Sequence, residues 1–107
     1  MSAHEFTEAA CWGGRPVARK IADAVPRGRV VVTGVVNSAR ETSVHGTASY
    51  ECLIDDRTGE LGLLFLGRRN IAGMVTGTRC TVEGTARMDG GRLVVWNPLY
   101  RIEGSDR

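Results

Sequence analysis

The chain has 107 residues, which is enough for one hydrophobic core but leaves too little for two. Its hydrophobic content of 42% and charged content of 24% are ordinary for soluble domains and argue against a disordered or membrane-embedded class. Its 14 Lys and Arg against 12 Asp and Glu give a net charge of +2, too small to indicate a nucleic-acid partner by itself. No apolar run reaches the roughly 20 residues that cross a bilayer, and the N-terminus lacks a secretory signal pattern. A cytoplasmic protein without a membrane partner is therefore expected.

The N-terminal part of the chain divides into a tail and a predicted helix. Residues 1–16 have no sustained apolar period and are predicted to form a tail or a loosely attached arm. From Val17 to Val25, apolar residues recur at steps of three and four, which predicts a short helix that ends before Pro26. This helix is expected to lie against a barrel, so that residues 17–107 form one domain.

From Arg29 onward the apolar period changes to two, which is typical of consecutive strands. Gly34 lies inside the first strand, where a missing side chain permits the bend that lets one strand serve both halves of a barrel. Pro98 interrupts the ladder of the last strand, which is expected to end or bend there. The fold class is therefore predicted to be all-β, a small closed barrel of five strands. The predicted strands are 30–40, 49–55, 61–66, 79–87 and 92–102.

The alternation is clearest in the fourth predicted strand. Cys80, Val82, Gly84 and Ala86 are predicted to face the core, and the residues between them, including Glu83, to face outward. The three cysteines lie far apart, without a Cys-x-x-Cys pair or a histidine at metal-ligand spacing. Two of them, Cys52 and Cys80, are therefore interpreted as core residues, and neither a zinc site nor a disulfide is expected.

Several segments carry a family resemblance. They are Val-x-Val-x-Gly-x-Val at 30–36, CLIDDRTGELGLLF at 52–65, Leu-Gly-Arg-Arg at 66–69, GTRCTVEG at 77–84 and Trp-Asn-Pro-Leu-Tyr at 96–100. Over residues 20–103 the chain resembles the OB-fold nucleic-acid-binding family, such as the anticodon-binding barrels of tRNA synthetases and the wedge domain of branch-migrating helicases. It looks most like the small stand-alone OB proteins of high-GC Gram-positive bacteria. The resemblance implies a Greek-key barrel that binds single-stranded or structured nucleic acid, in an accessory role in DNA repair, recombination or RNA metabolism.

The resemblance also implies where the ligand lies. In OB folds it crosses strands two and three, between the loop joining strands one and two and the loop joining strands four and five. Here those loops are predicted at about 41–47 and 88–91. Leu53 and Leu64 stand where strong single-strand binders often have aromatic residues, which lowers the expected affinity.

The candidate binding residues are cations and one aromatic residue near this face. Single-strand binding needs cations for phosphates and flat side chains on which bases stack, each stack being worth about 1–3 kcal/mol. Trp96 either points outward as such a surface, or covers a barrel end or packs under the predicted helix. Any single arginine could instead pair with a nearby acid, so only the cluster counts as evidence. The candidates are Arg40, Arg57, Arg68, Arg69, Arg87, Arg92 and Trp96.

A protein-interaction module is the competing hypothesis. Six apolar residues are predicted to face outward, more than solubility favours, so either the predicted helix covers them or a protein partner does, including a second copy in a homodimer. These residues are Val31, Val35, Leu53, Leu64, Leu66 and Val94.

No catalytic arrangement is visible in the sequence. Asp55 and Asp56 are adjacent, so on a strand they face opposite sides and cannot act on one bond. We therefore expect a non-enzymatic protein that uses no cofactor and no metal.

Overall fold

The computed structural model describes residues 5–105, in which eight strands and one turn of 3₁₀ helix are present. The 3₁₀ turn is Ile21–Asp23. Across the same residues, no helix has the length and apolar character needed to cross a membrane. The strands are β1 (Cys11–Trp12), β2 (Arg15–Pro16), β3 (Arg29–Val44), β4 (Thr47–Asp55), β5 (Glu60–Leu66), β6 (Thr78–Asp89), β7 (Arg92–Trp96) and β8 (Leu99–Ser105).

The main sheet closes on itself. Its strand order is β3-β4-β5-β7-β6-β8, and an additional β3–β6 pairing closes the first five strands into a barrel. The β5–β7 pair is parallel and the other pairs are antiparallel. This confirms the predicted all-β barrel, and the pairing is the one that the family resemblance implies.

The first barrel strand, β3, serves both halves of the barrel, as predicted. It pairs with β6 over residues 29–35 and with β4 from Val35 onward. At the crossing, a Cβ added to Gly34 would lie 2.9 Å from the backbone oxygen of Asp55. Only glycine allows the two strands to approach this closely.

The β3–β4 hairpin is tighter than the sequence indicated. The predicted 41–47 loop is mostly paired strand, because β3 and β4 stay in register up to the Val44–Thr47 pair. His45 and Gly46 alone make the turn, with φ of 49° and 79°. Positive φ at both central residues is the geometry whose twist matches the flanking strands. The β6–β7 hairpin likewise turns at Gly90 and Gly91.

The core fills the inside of the barrel. Cys52 and Cys80 are 1% and 0% exposed within it, which confirms their interpretation as packing residues. Burial is the main reason that the pKa of Cys52 is raised to about 12 and that of Cys80 to about 11. The core cluster is Ala18, Ile21, Val30, Val32, Val36, Tyr50, Cys52, Ile54, Leu61, Leu63, Phe65, Ile71, Met74, Cys80, Val82, Ala86 and Val95.

The predicted helix from Val17 to Val25 is wrong. Ala18 instead forms a parallel bridge with Val30 of β3. Its N–H donates to the carbonyl of Arg29, and its carbonyl accepts from the N–H of Val31. Because β3 already satisfies the N–H and the carbonyl of Ala18, these two groups are not available for hydrogen bonds within a helix.

The 3₁₀ turn that remains is also held by the barrel. The N–H of Ile21 donates to the Asp56 carboxylate at 2.9 Å, and the N–H of Ala22 donates to the Thr58 hydroxyl at 3.0 Å. The spacing that suggested a helix therefore reflects an irregular segment that buries Val17, Ala18 and Ile21 against the barrel.

Candidate nucleic-acid interface

The outer face of the barrel crosses β3, β4, β5 and β7. Register places Arg40 opposite Glu51, Glu51 opposite Leu64, and Leu64 opposite Trp96. Because paired residues on neighbouring strands share a face, these four side chains form one row across the sheet. We call this surface, built on β3, β4, β5 and β7, the outer face. Because Trp96 belongs to this row, its side chain points outward from the barrel.

The neighbouring row is flattened by a glycine. Leu53 pairs with Gly62, which pairs with Val94. A Cβ at Gly62 would lie 3.1 Å from Val94 Cγ2 and 3.7 Å from Arg92 Cδ, so the arginine stem lies over β5 here. Beside it, Glu51 and the β6–β7 hairpin line a shallow cleft. The centre of the outer face thus carries an aliphatic floor with one cation lying across it.

Less apolar surface is exposed than the sequence suggested. Of the six residues predicted to face outward, Val31, Leu64 and Val94 are buried, at 8%, 5% and 8% exposure. The other three, Val35, Leu53 and Leu66, are half-buried. The chain itself covers most of the surface that suggested a protein partner.

Two of the candidate arginines are neutralised by carboxylates. Arg40 pairs with Glu51 at 2.8 Å and Arg69 pairs with Glu41 at 3.1 Å. Both arginines are strongly exposed, so these pairs contribute little to stability and can exchange partners. For Arg40 and Arg69, the alternative that the arginine pairs with a nearby acid is therefore correct.

The other arginine candidates fall into two places. Arg68, Arg87 and Arg92 are exposed, and among residues 5–105 none of them has a carboxylate within salt-bridge distance. Arg57 lies in the β4–β5 turn, at the opposite end of β4 from the β3–β4 hairpin. Arg40 lies opposite Glu51, and Arg69 pairs with Glu41, which lies opposite Tyr50. From Glu51 to Asp55, β4 spans roughly 13 Å at about 3.3 Å per residue. Arg57 lies beyond that end of the strand, so the structure does not bring it together with Arg40 and Arg69.

Trp96 is fixed by its neighbours. The guanidinium carbon of Arg87 lies 4.2 Å from the centre of its ring, an ordinary cation–π distance. The next residue, Asn97, donates its N–H to the Leu64 carbonyl at 2.7 Å and accepts the Leu66 N–H at 2.9 Å. The indole Nε1 of Trp96 is buried, without a hydrogen-bond partner in the described part of the chain.

Sequence reasoning missed two arginines beside Arg87. Arg27 and Arg29 line the same groove as Arg87 and Trp96. Arg29 begins β3 opposite Thr85 of β6. The alternation of β6 predicted that Thr85 and Arg87 face outward, but the sequence does not specify which strand pairs with β6.

A buried carboxylate lies beneath this groove. Glu83 is 2% exposed, and its Oε2 accepts from Arg29 Nε at 3.0 Å. Burial acts to raise the pKa of Glu83, but the hydrogen bonds from Thr7 and Arg29 outweigh it and the pKa is lowered. Glu83 is thus ionised at neutral pH and offsets the charge of Arg29. Within the described residues, no cluster of three or more His, Cys, Asp and Glu side chains could hold a metal ion.

Comparison with solved structures agrees with this topology. A replication factor A related protein from Methanobacterium thermoautotrophicum, solved by NMR, superposes with a TM-score of 0.57 at 18% identity, covering 79% of this chain and 89% of its own. The OB domain of a Thermoplasma acidophilum protein gives a TM-score of 0.57 at 19% identity, covering 85% and 89%. The chain has an OB fold. No family model and no curated protein sequence matches it.

Proposed function

We propose that the protein binds single-stranded nucleic acid, DNA or RNA, across the outer face. The observation that carries the proposal is a pair of exposed cations on an OB barrel, with Trp96 in the same row as Leu64. These cations are Arg68 and Arg92, and among residues 5–105 neither has a carboxylate within salt-bridge distance. Phosphates would lie against the arginines and a base against the indole. The name of the archaeal neighbour, a replication factor A related protein, agrees with such a role. An accessory task in DNA repair, recombination or RNA metabolism is the corresponding biological proposal.

The composition of the face limits the expected affinity. Its floor is aliphatic, with Leu53 and Leu64 where a stronger binder would stack bases, so one indole carries most of the stacking. Two phosphate contacts predict that log K falls with log salt with a slope of about −1.4 for a single strand. Binding should therefore be weak and salt-dependent.

The test is fluorescence anisotropy with labelled single-stranded DNA and RNA at low and moderate salt. We compare the wild type with the double variant Arg68→Gln/Arg92→Gln and with the control Arg57→Gln, which removes one exposed arginine in the β4–β5 turn. Salt-dependent binding that the double variant weakens and the control leaves unchanged supports the proposal. Because the control removes one charge and the double variant two, a control effect about half as large as that of the double variant would indicate attraction by net charge alone. Absence of binding at tens of micromolar protein and low salt overturns it.

A protein partner or a homodimer is the second candidate function. Its support has become smaller, because Val31, Leu64 and Val94 are covered by the chain itself. Sedimentation of the same sample tests it. A partner or dimer that survives high salt would favour this candidate, since apolar contacts are not screened by salt.

A further inference from the structure

A second groove lies next to the outer face, over β6. Trp96 and Arg87 form one side, Arg27 and Arg29 the other, and Thr85 lies between them. The β6–β7 pairing places Arg87 opposite Val94, so the groove begins where the outer face ends. We call it the β6 groove.

The charge of the β6 groove is positive. Arg29 is offset by Glu83, through the 3.0 Å contact of Nε with Oε2. Among residues 5–105, no carboxylate lies within salt-bridge distance of Arg27 or Arg87. The groove therefore offers two cations, Arg27 and Arg87, to an anionic ligand. The third arginine, Arg29, is neutralised by Glu83.

The backbone holds Arg27 at the edge of this groove. Its N–H donates to the Ala86 carbonyl at 2.8 Å, and the Ala86 N–H donates to the Gly28 carbonyl at 2.9 Å. Arg27 has a φ of 69°, a region that glycine adopts at lower cost than any residue with a side chain. The backbone that carries this charged side chain is thus fixed to β6, at a turn position where glycine would be easier to accommodate.

One flat side chain, Trp96, lines the β6 groove, and a second, Trp12, stacks on an arginine of the groove. Trp96 carries Arg87 on its ring at 4.2 Å, and the half-exposed Trp12 carries Arg29 at 4.6 Å. The buried Nε1 of Trp96 has no acceptor in the described structure. An unsatisfied buried donor is unfavourable, and because this atom is not exposed, the ring of Trp96 and not its N–H is available to a ligand.

Resting on the proposed function, we propose that the β6 groove is a second nucleic-acid subsite, which binds the strand as it leaves the outer face at Trp96. Arg27 and Arg87 each bind one of two successive phosphates. A guanidinium suits this role because it can donate to two oxygens of one phosphate at once. Trp96 offers a surface for a base. Arg29 is held by Glu83 and lies against Trp12, so it is not one of the two phosphate-binding cations. A short oligonucleotide occupies the outer face alone, and a longer one also enters the groove.

Oligonucleotide length therefore separates the two subsites. The assay measures binding of oligothymidylates of about 5 and about 12 nucleotides, within the site sizes of single OB folds. The chain has two tryptophans, so Trp12→Phe leaves Trp96 as the single fluorescence reporter. The variants are Arg27→Gln/Arg87→Gln, Arg27→Gln alone, and the control Arg57→Gln. Arg27→Gln alone is included because this substitution leaves the stacking of Arg87 on Trp96 intact.

We expect the double variant to remove most of the affinity gained between the short and the long oligonucleotide. Arg27→Gln alone, which keeps the contact of Arg87 with Trp96, should leave short-oligonucleotide binding within about twofold of the wild type. Its salt slope for the long oligonucleotide should fall by about 1.4, the value for two lost phosphate contacts. Arg27→Gln alone should lower the slope by about half of that. Trp96 emission should change further with the long oligonucleotide.

Two results would overturn the subsite. If Arg27→Gln/Arg87→Gln keeps the full length dependence and salt slope, the β6 groove binds no nucleic acid, although the outer face still does. If the wild type binds neither oligonucleotide, the proposed function fails and the subsite fails with it. The two failures are distinguished by the short oligonucleotide alone.

Discussion

The backbone N–H and the hydroxyl of Thr7 both donate to the carboxylate of Glu83, 76 positions later in the chain. The N–H reaches Oε1 at 2.8 Å and the hydroxyl reaches Oε2, which also accepts from Arg29. Arg19 supports the same segment by donating to the carbonyls of Thr7 and Ala9. One buried carboxylate thus fastens the N-terminal segment to the outside of β6.

Glu83→Gln should therefore destabilise the fold. The substitution replaces charge-assisted hydrogen bonds with neutral ones and leaves the Arg29 guanidinium unpaired, which should lower the free energy of unfolding by about 2–3 kcal/mol. Urea unfolding followed by tryptophan fluorescence at neutral pH measures it. Glu51→Gln, which breaks the exposed Arg40 pair, is the matched control and should cost less than about 1 kcal/mol. Equal losses for the two variants would contradict the buried network.

Acid should remove this stabilisation. Glu83 and Asp56 both have lowered pKa values: burial acts to raise each, but hydrogen bonds from Thr7 and Arg29 to Glu83, and from Thr58 and Ile21 to Asp56, outweigh it. Their contribution to the free energy of unfolding is therefore present above the ordinary values of 4.5 and 3.8, and is lost as the pH falls through the lower, folded-state values. The urea midpoint should be steady from pH 7 to about pH 5 and fall below it.

Glu83→Gln provides the control for this pH dependence. The variant lacks the Glu83 carboxylate, so its stability should fall less steeply in acid than that of the wild type. Parallel curves for the two proteins would show that Glu83 ionises alike in the folded and unfolded chains.

Gly84 is required for its lack of a side chain. A Cβ built there overlaps the Cγ1 of Val95, a core residue with 0% exposure whose branched side chain cannot turn away. Gly84→Ala should destabilise the protein by about 1–3 kcal/mol, as overpacking does. Adding Val95→Ala opens the space, so the two losses should sum to more than the loss measured for the double variant. Additive urea-unfolding energies would mean that the strand shifts to accept the methyl group.

The parts of the fold that were predictable from sequence are those set by local pattern. Alternation in β6 correctly placed Cys80, Val82 and Ala86 in the core. Gly34 marked the close strand crossing, and Pro98 marked the break between β7 and β8. Each of these depends on a property of one residue or on the two-residue period, which holds whatever the distant partner is.

The parts that were missed depend on distant contacts. Glu83 faces outward by parity, yet it is buried because Thr7 lies over it. The spacing of Val17 and Ile21 fitted a helix, but pairing with β3 and capping by Asp56 came from elsewhere in the chain. Arg27 joins the candidate surface only because its turn lies against β6. Sequence periodicity does not indicate which distant residues contact one another.

Thiol chemistry should distinguish Cys11 from the other two cysteines. Cys11 is exposed, whereas burial raises the pKa of Cys52 to about 12 and of Cys80 to about 11. The thiolate is the reactive form, so native protein at pH 8 should react rapidly with a thiol reagent such as DTNB at one site only. In denaturant all three thiols should react. Cys11→Ser is the control and should leave the native protein without a fast phase; rapid labelling of it would show that the barrel opens readily.

Asn97 should control the position of Trp96. Its side-chain oxygen accepts the Leu66 N–H at 2.9 Å, and its φ of 51° lies in the left-handed region, which asparagine tolerates better than alanine. Asn97→Ala removes the acceptor and adds backbone strain, so it should lower the free energy of unfolding by about 2 kcal/mol and shift the emission of Trp96 in a Trp12→Phe background. Asn97→Asp keeps both the acceptor and the conformational tolerance and should cost under about 1 kcal/mol. If Asn97→Ala leaves both the unfolding energy and the emission unchanged, the connection between β5 and β7 is held by the backbone bond to Leu64 alone, and the indole is positioned by Arg87.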